Sequence, residues 1–134
     1  MTHILGTARG KLGYTLSLPE RTLPTRRVQL TNLSVMKTPY LSGWLRFDTL
    51  VEAADGRFAV NLCEGLSRPR AVQILLALSR GRLRDQTSRG IHHWRTGRLS
   101  VGAERPFALE LDGEVHQARR VSFSVLADKL RCCT

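Results

Sequence analysis

Two alternating segments joined by one turn, near the carboxyl end of the chain, constrain the fold most strongly. Large apolar residues occupy every second position in Phe107–Leu111 and again in Val121–Val125, and this period of two is typical of half-buried strands. Asp112-Gly113 follows the first segment and favours a tight turn, because glycine adopts positive φ without steric cost and aspartate tolerates it. The pattern predicts a small antiparallel sheet with Asp112 and Glu114 at its rim.

Other segments share this strand pattern. Arg27–Ser34 and Phe58–Leu62 alternate in the same way, and Arg98–Gly102 predicts a further strand. A turn at Ala127–Lys129 leaves room for a last short strand at Leu130–Cys133. Residues 12–18 fit either a strand or a short helix.

One helix is predicted, from Ser67 to Arg80. Ser67 suits the amino-terminal cap, Pro69 suits the first turn and Gly81 suits the end. An apolar stripe within it is expected to pack on the sheet; its members are Val72, Leu75, Leu76 and Ser79, widened by Ala71, Ile74 and Leu78.

Strands, one helix and then more strands follow each other without the βαβ alternation of a parallel sheet. The fold class is therefore predicted to be mainly β, an antiparallel β-sandwich or flattened barrel with one packed α-helix. A length of 134 residues suits a single domain, in which residues 1–26 are the least defined part.

The net charge of +10 favours a polyanionic partner. Of the 21 basic residues 18 are arginine, whose side chain can contact two phosphate oxygens at once. Nucleotides, anionic lipids and nucleic acid all qualify, and a basic surface without a specific partner is the alternative. Nucleic acid is the weaker candidate, because aromatic residues are few and no RRM, KH or zinc-finger pattern occurs. The segment from residue 80 to 98 is expected to lie exposed against anionic groups, through Arg80, Arg82, Arg84 and Arg89.

Three cysteines, two of them adjacent, argue against disulfides and predict a cytoplasmic protein, as does the lack of a long apolar run or leader. His92 and His93 would point to opposite faces of a strand, so they do not suggest one metal site. Cys63 is expected to be a small buried apolar residue. A serine hydrolase is not indicated, because no GxSxG sequence is present.

The sequence from Phe107 to Arg131 resembles the carboxyl end of bacterial lipid kinases, the group of diacylglycerol kinases, sphingosine kinases and YegS-like proteins. The shared pattern is Phe-x-Leu-x-Leu-Asp-Gly-Glu, a basic spacer, Val-x-Phe-x-Val and Ala-Asp-Lys-Leu-Arg. The resemblance covers about residues 45–133. It implies that Glu114 is the general base that accepts the proton of a lipid hydroxyl, with Asp112 orienting the site or contacting magnesium-nucleotide. The same two residues also suit an ordinary solvated turn.

Asp55-Gly56 resembles the Asp-Asp-Gly motif of the same family, although Ala54 stands in place of the first aspartate. The resemblance implies a structural magnesium ion held by the Asp55 carboxylate and the carbonyls of Glu52 and Arg57, since magnesium takes oxygen ligands and retains water. A hairpin without an ion is the alternative.

The glycine-rich Gly-Gly-Asp-Gly-Thr segment of the family's nucleotide-binding domain is missing from the sequence, and so is a P-loop. The predicted function is therefore the lipid-binding and catalytic-base half of a diacylglycerol kinase-like enzyme, with ATP and its magnesium bound by a missing domain or a partner chain. The chain alone is expected to be inactive, and a peripheral place at the membrane is expected. The alternative is a non-catalytic basic β-module that binds anionic lipid or nucleic acid.

Overall fold

Strands dominate the computed structural model of the protein. The structure describes residues 2–5, 13–17, 26–41, 45–46, 48, 52, 55–82 and 90–126. The strands within these residues are β1 (Thr2–Leu5), β2 (Gly13–Ser17), β3 (Arg26–Met36), β4 (Tyr40–Leu41), β5 (Leu45–Arg46), β6 (Phe58–Glu64), β7 (Ile91–Thr96), β8 (Arg98–Leu111) and β9 (Glu114–Ser124), and the helix is α1 (Arg68–Ser79).

Seven of these strands form one antiparallel sheet, and β4 and β5 form a separate two-stranded ribbon. Strands β1 and β2 both lie between β3 and β8: β1 pairs with residues 32–35 and 108–111, and β2 pairs with residues 26–29 and 100–103. The order across the sheet is thus β9, β8, then β1 and β2 end to end, then β3, β6 and β7. The predicted fold class, an antiparallel β-sandwich-like fold with one helix, is confirmed, and the described strands do not close into a barrel.

One face of the sheet curls around the main hydrophobic core. The rings of Phe58 and Phe123 meet edge to face with centroids 6.5 Å apart, although their strands β6 and β9 are not neighbours in the sheet. Curvature therefore brings distant strands together on this face. The buried members of this core are Val28, Leu30, Leu33, Val35, Phe58, Val60, Leu62, Leu99, Val101, Phe107 and Leu109.

Helix α1 covers the opposite face. Ile74 and Leu78 pack with Ala59, Cys63 and Ile91 in a second buried cluster. Because side chains alternate along β6, this strand supplies residues to both clusters and is buried on both faces. It anchors the two layers to each other.

The predicted packing stripe of α1 is wrong in its main residues. Val72, Leu75 and Leu76 are about half exposed, whereas Ile74 and Leu78 are buried. The helix is apolar around most of its circumference, so hydrophobic spacing alone does not identify the side that meets the sheet. The predicted ends of the helix are correct, although the Ser67 side chain makes no capping hydrogen bond. Gly81 adopts φ 63°, and the backbone N–H groups of residues 81 and 82 donate to carbonyls of the last turn, which completes a Schellman-type end.

Two predicted boundaries differ from the structure. The segments 98–102 and 107–111 belong to one long strand, β8, whose pairing with β9 is irregular between Gly102 and Phe107. The segment 80–98 is not exposed loop throughout, because residues 91–96 form β7. Leu130–Cys133 lies outside the described residues. Among the described residues, no helix has the length and hydrophobicity needed to cross a bilayer.

Candidate functional site at one end of the sheet

The two Asp-Gly turns lie at the same end of the sheet. Leu111 pairs with Thr2, Thr2 with Val35 and Val35 with Val60, so a single row crosses β8, β1, β3 and β6. Beyond this row, β8 leads into the turn at residues 112–113. At the same end of the sheet, Lys37 follows β3, and the Asp55-Gly56 turn precedes β6. Since neighbouring strands are about 4.8 Å apart, β8 and β3 are separated here by roughly 10 Å. The structure thus brings the predicted acidic residues to one end of the fold.

The Asp112-Gly113 turn forms the tip of the β8–β9 hairpin. Asp112 and Gly113 have φ of 50° and 93°, and Leu111 pairs directly with Glu114, as in a two-residue hairpin of type I′. The Glu114 side chain is 82% exposed, and its Oε2 lies 3.6 Å from His116 Nε2. The predicted general base is therefore accessible to a ligand.

Two partly uncovered apolar side chains lie near this tip, Leu111 on the same face as Glu114 and Val115 on the opposite face. Val115 is 66% exposed and Leu111 is 37% exposed, although both are large hydrophobic residues. A carboxylate beside uncovered apolar surface suits a ligand that carries a hydroxyl group next to a hydrocarbon part.

The Asp55-Gly56 turn is organised differently, around the ammonium group of Lys37. Nζ of Lys37 donates to the carbonyl of Glu52 at 2.9 Å, to Oδ1 of Asp55 at 2.8 Å and to the carbonyl of Arg57. These acceptors are the three oxygens that the family resemblance implies as ligands of magnesium. The structure brings all three together, and the group at their centre is a side chain of the protein.

Arg95 adds a second cation to this cluster. Its Nη2 atom contacts Oδ2 of Asp55 and lies 3.3 Å from Oε2 of Glu52, while the backbone N–H of Arg57 donates to Oδ1 of Asp55 at 3.1 Å. The hydrogen bond from Lys37 is the main cause that lowers the pKa of Asp55 from its ordinary 3.8 to about 2, against the opposing effect of burial. The ionised carboxylate is thus paired with a cation on each oxygen.

The cluster fits an ammonium group and does not fit magnesium while Lys37 is in place. Magnesium requires nearly octahedral oxygen ligands at about 2.0–2.1 Å. Lys37 Nζ already takes one hydrogen-bond position on each of the three oxygens. Across the described part of the chain, no group of three or more His, Cys, Asp or Glu side chains is arranged to hold a metal ion.

The predicted anionic-surface residues divide into two pairs. Arg80 and Arg82 are exposed at the end of α1, and Arg84 and Arg89 lie outside the described residues. A shallow groove beside the helix is lined by Gln73, Leu76, Ala77, Arg80 and Arg82.

The exposed apolar side of α1 adjoins this groove. Val72 and Leu75 are each 58% exposed and Leu76 is 49% exposed. Arg68 and Arg70 stand in the first turn of the helix, and α1 contains no acidic residue. The result is an apolar surface with guanidinium groups at both ends.

His92, His93 and Cys63 occupy structural positions. His92 Nε2 lies 3.0 Å from Glu64 Oε1, and His93 Nδ1 bonds Oδ1 of Asn61, so the two histidines have different partners as the alternation predicts. Burial raises the pKa of the Cys63 thiol to about 11, which agrees with a buried apolar role and not with a reactive thiolate.

In comparisons by sequence, no family model and no curated protein matches the chain. Comparison with solved structures gives fold-level matches. A diacylglycerol kinase from Bacillus anthracis strain Sterne matches with a TM-score of 0.61 at 11% identity, over 90% of this chain and 44% of its own. A predicted diacylglycerol kinase from the same strain matches with a TM-score of 0.65 at 12% identity, over 92% of this chain and 48% of its own.

A further predicted diacylglycerol kinase of that strain matches with a TM-score of 0.57 at 12% identity, over 86% of this chain and 38% of its own. The resemblance seen in the sequence is therefore confirmed at the level of the fold. The chain spans less than half the length of each of these proteins, which is consistent with the predicted carboxyl-terminal domain.

Proposed function

We propose that this chain is the lipid-binding half of a diacylglycerol kinase-like lipid kinase and that Glu114 is its general base. The observation that carries the proposal is the fold match, which covers 86–92% of this chain and less than half of each diacylglycerol kinase-like protein. In this proposal a second domain supplies ATP, since the sequence contains no phosphate-binding glycine-rich segment of its own.

The exposed hairpin tip supports the role of Glu114. Phosphoryl transfer to an alcohol forms an oxygen–phosphorus bond as the bond to the leaving ADP breaks, and the proton of the hydroxyl must be taken up. A carboxylate within hydrogen-bond reach of that hydroxyl accepts the proton. Glu114 is open to such a ligand, and Leu111, its cross-strand partner on the same face, provides apolar contact beside it. Magnesium enters this reaction with ATP, bound by the nucleotide-binding half.

The first prediction is that the isolated chain transfers no phosphate from ATP to diacylglycerol or to a sphingoid base. The reason is that no part of its sequence provides the loop that holds the ATP phosphates. Transfer of radiolabelled phosphate into the lipid fraction measures this, with a full-length diacylglycerol kinase as the positive control. Robust turnover by the chain alone that is lost in Glu114→Gln would contradict the proposal that a second domain binds ATP.

A second candidate function is a non-catalytic module that binds anionic lipid surfaces in the cytoplasm. The observation that favours it is the exposed apolar side of α1 between arginine pairs. Apolar side chains can enter the boundary between headgroups and acyl chains while guanidinium groups contact lipid phosphates. This surface would also serve the kinase half, because a lipid kinase must reach its substrate in a membrane.

We therefore predict salt-sensitive binding of the chain to vesicles that contain phosphatidylglycerol. Replacing Arg80 and Arg82 with Gln should weaken binding about 30-fold at low salt, since each basic residue contributes roughly 1 kcal/mol near such a surface. Arg98→Gln with Arg105→Gln is the matched control, which removes two exposed charges from β8. Co-sedimentation measures binding. The proposed role of the α1 arginines would be contradicted if both double variants weakened binding equally. It would also be contradicted if the wild type bound neutral phosphatidylcholine vesicles as strongly as phosphatidylglycerol vesicles.

A further inference from the structure

We infer that Lys37 is a built-in cation that takes the place of a divalent ion in the loop before β6. Two consequences follow from this inference. The native protein gains no stability from magnesium, and removal of the Lys37 side chain uncovers a divalent-cation site. The inference rests on the hydrogen bonds of Lys37 and does not depend on the proposed role of Glu114.

The number of donors matches the number of acceptors. A lysine ammonium carries three N–H donors and no acceptor. Three oxygens receive them: the carbonyls of Glu52 and Arg57 and the Oδ1 atom of Asp55. All three belong to residues that precede β6, so the ammonium holds Glu52, Asp55 and Arg57 together.

The position of Lys37 in the fold keeps its ammonium at this point. Lys37 directly follows β3, and Met36 at the end of that strand pairs with Ala59 near the start of β6. A cation attached to the neighbouring strand is present at every magnesium concentration. A bound ion, by contrast, stabilises the fold only in proportion to its free concentration and affinity.

The charges show what removal of Lys37 would leave. Asp55 and Glu52 provide two negative charges, and Arg95 pairs with both carboxylates. Without the ammonium, the carboxylate and two carbonyl oxygens would surround a space with a net negative charge. One carboxylate, carbonyl oxygens and retained water form the kind of ligand set that magnesium and manganese accept.

The test compares Lys37→Ala with Lys37→Met. Both variants lose the ammonium, but methionine fills most of the lysine volume with an uncharged chain, whereas alanine leaves room for an ion. In EDTA both should melt at a lower temperature than the wild type. Adding millimolar magnesium or manganese chloride should raise the melting temperature of Lys37→Ala by several degrees and leave Lys37→Met and the wild type unchanged. Arg105→Gln is the control for loss of an exposed positive charge.

Calorimetric titration with manganese chloride provides the second readout. Lys37→Ala should bind one ion per chain, and adding Asp55→Asn to this variant should abolish binding. If Lys37→Ala does not fold in EDTA, refolding on addition of magnesium supports the inference, and failure to refold overturns it. A wild type that melts higher in magnesium than in EDTA, or a folded Lys37→Ala that binds no manganese, also overturns it.

Discussion

The same dipeptide, Asp-Gly, forms two turns at one end of this sheet, and the two turns have different surroundings. Gly56 and Gly113 both adopt positive φ, but Asp112 also does so whereas Asp55 does not. The Asp55 side chain is 15% exposed and meets cations on both oxygens. Beside the other turn, the Glu114 side chain is 82% exposed. Local sequence therefore determines that a turn forms but not whether its acidic group is available.

Position in the sheet explains the difference. The turn before β6 lies between β3 and β7, and these neighbours contribute Lys37 from the end of one strand and Arg95 from the other. The hairpin tip belongs to β8 and β9, and no described strand pairs with the outer side of β9. The acidic group inside the sheet order is thus paired by neighbouring strands, while the Glu114 carboxylate of the edge hairpin is exposed. The first arrangement suits stability and the second suits ligand contact.

The largest effect that would test this comparison comes from the same substitution in both turns. Asp55→Asn should lower the melting temperature by several degrees, because it leaves Lys37 and Arg95 close together with one fewer negative charge between them. Asp112→Asn should cause a smaller change, since asparagine tolerates positive φ and the exposed Asp112 carboxylate, whose pKa is lowered by the chain's amino group, has one cationic partner and not two. Thermal unfolding followed by circular dichroism at neutral pH and low salt measures both. Equal losses in the two variants would contradict the distinction.

Acid titration sharpens the same prediction. The pKa of Asp55 is lowered from 3.8 to about 2 in the folded protein, so its contribution is complete above the unfolded value and is lost as pH falls from about 4 through 2. Over this range the difference in melting temperature between wild type and Asp55→Asn should shrink toward zero. A difference that stays constant down to pH 2 would show that the carboxylate charge is not what stabilises the loop.

Much of the fold follows from local sequence. Alternation predicts β3 and β6, and a cap residue, a first-turn proline and a terminal glycine predict the ends of α1. The packing side of α1 was not predictable, because Leu75 and Ile74 are equally apolar and only the tertiary arrangement buries one of them. Strand β7 was missed because His92, His93 and Arg95 give residues 91–96 too little apolar alternation.

The candidate site likewise has one part that local sequence predicts and one part that it does not. The hairpin tip with Glu114 follows from the residues on either side of one turn, so the sequence predicts it. The cation at the other turn does not: Lys37 is 18 residues from Asp55, and Arg95 is 40 residues away. Only the pairing of β3 and β7 with β6 brings these groups together. The sequence offered one indication, because Lys37 lies three residues beyond the predicted strand Arg27–Ser34 and could reach a carboxylate at a neighbouring strand end.

The smallest expected effect on stability, and the most informative one on function, comes from Glu114→Gln. An exposed substitution of equal size should change the free energy of unfolding by no more than about 0.5 kcal/mol. With a nucleotide-binding half supplied as a second chain, the same change should reduce lipid phosphorylation about 10²–10⁴-fold, because an amide cannot accept the hydroxyl proton. His116→Gln is the control, since it removes the neighbouring imidazole and keeps the carboxylate. Urea unfolding and phosphate transfer, measured on the same preparations, separate the two effects. Full activity in Glu114→Gln would assign the general base to another residue, and a large loss of stability would place Glu114 with Asp55 as a structural carboxylate.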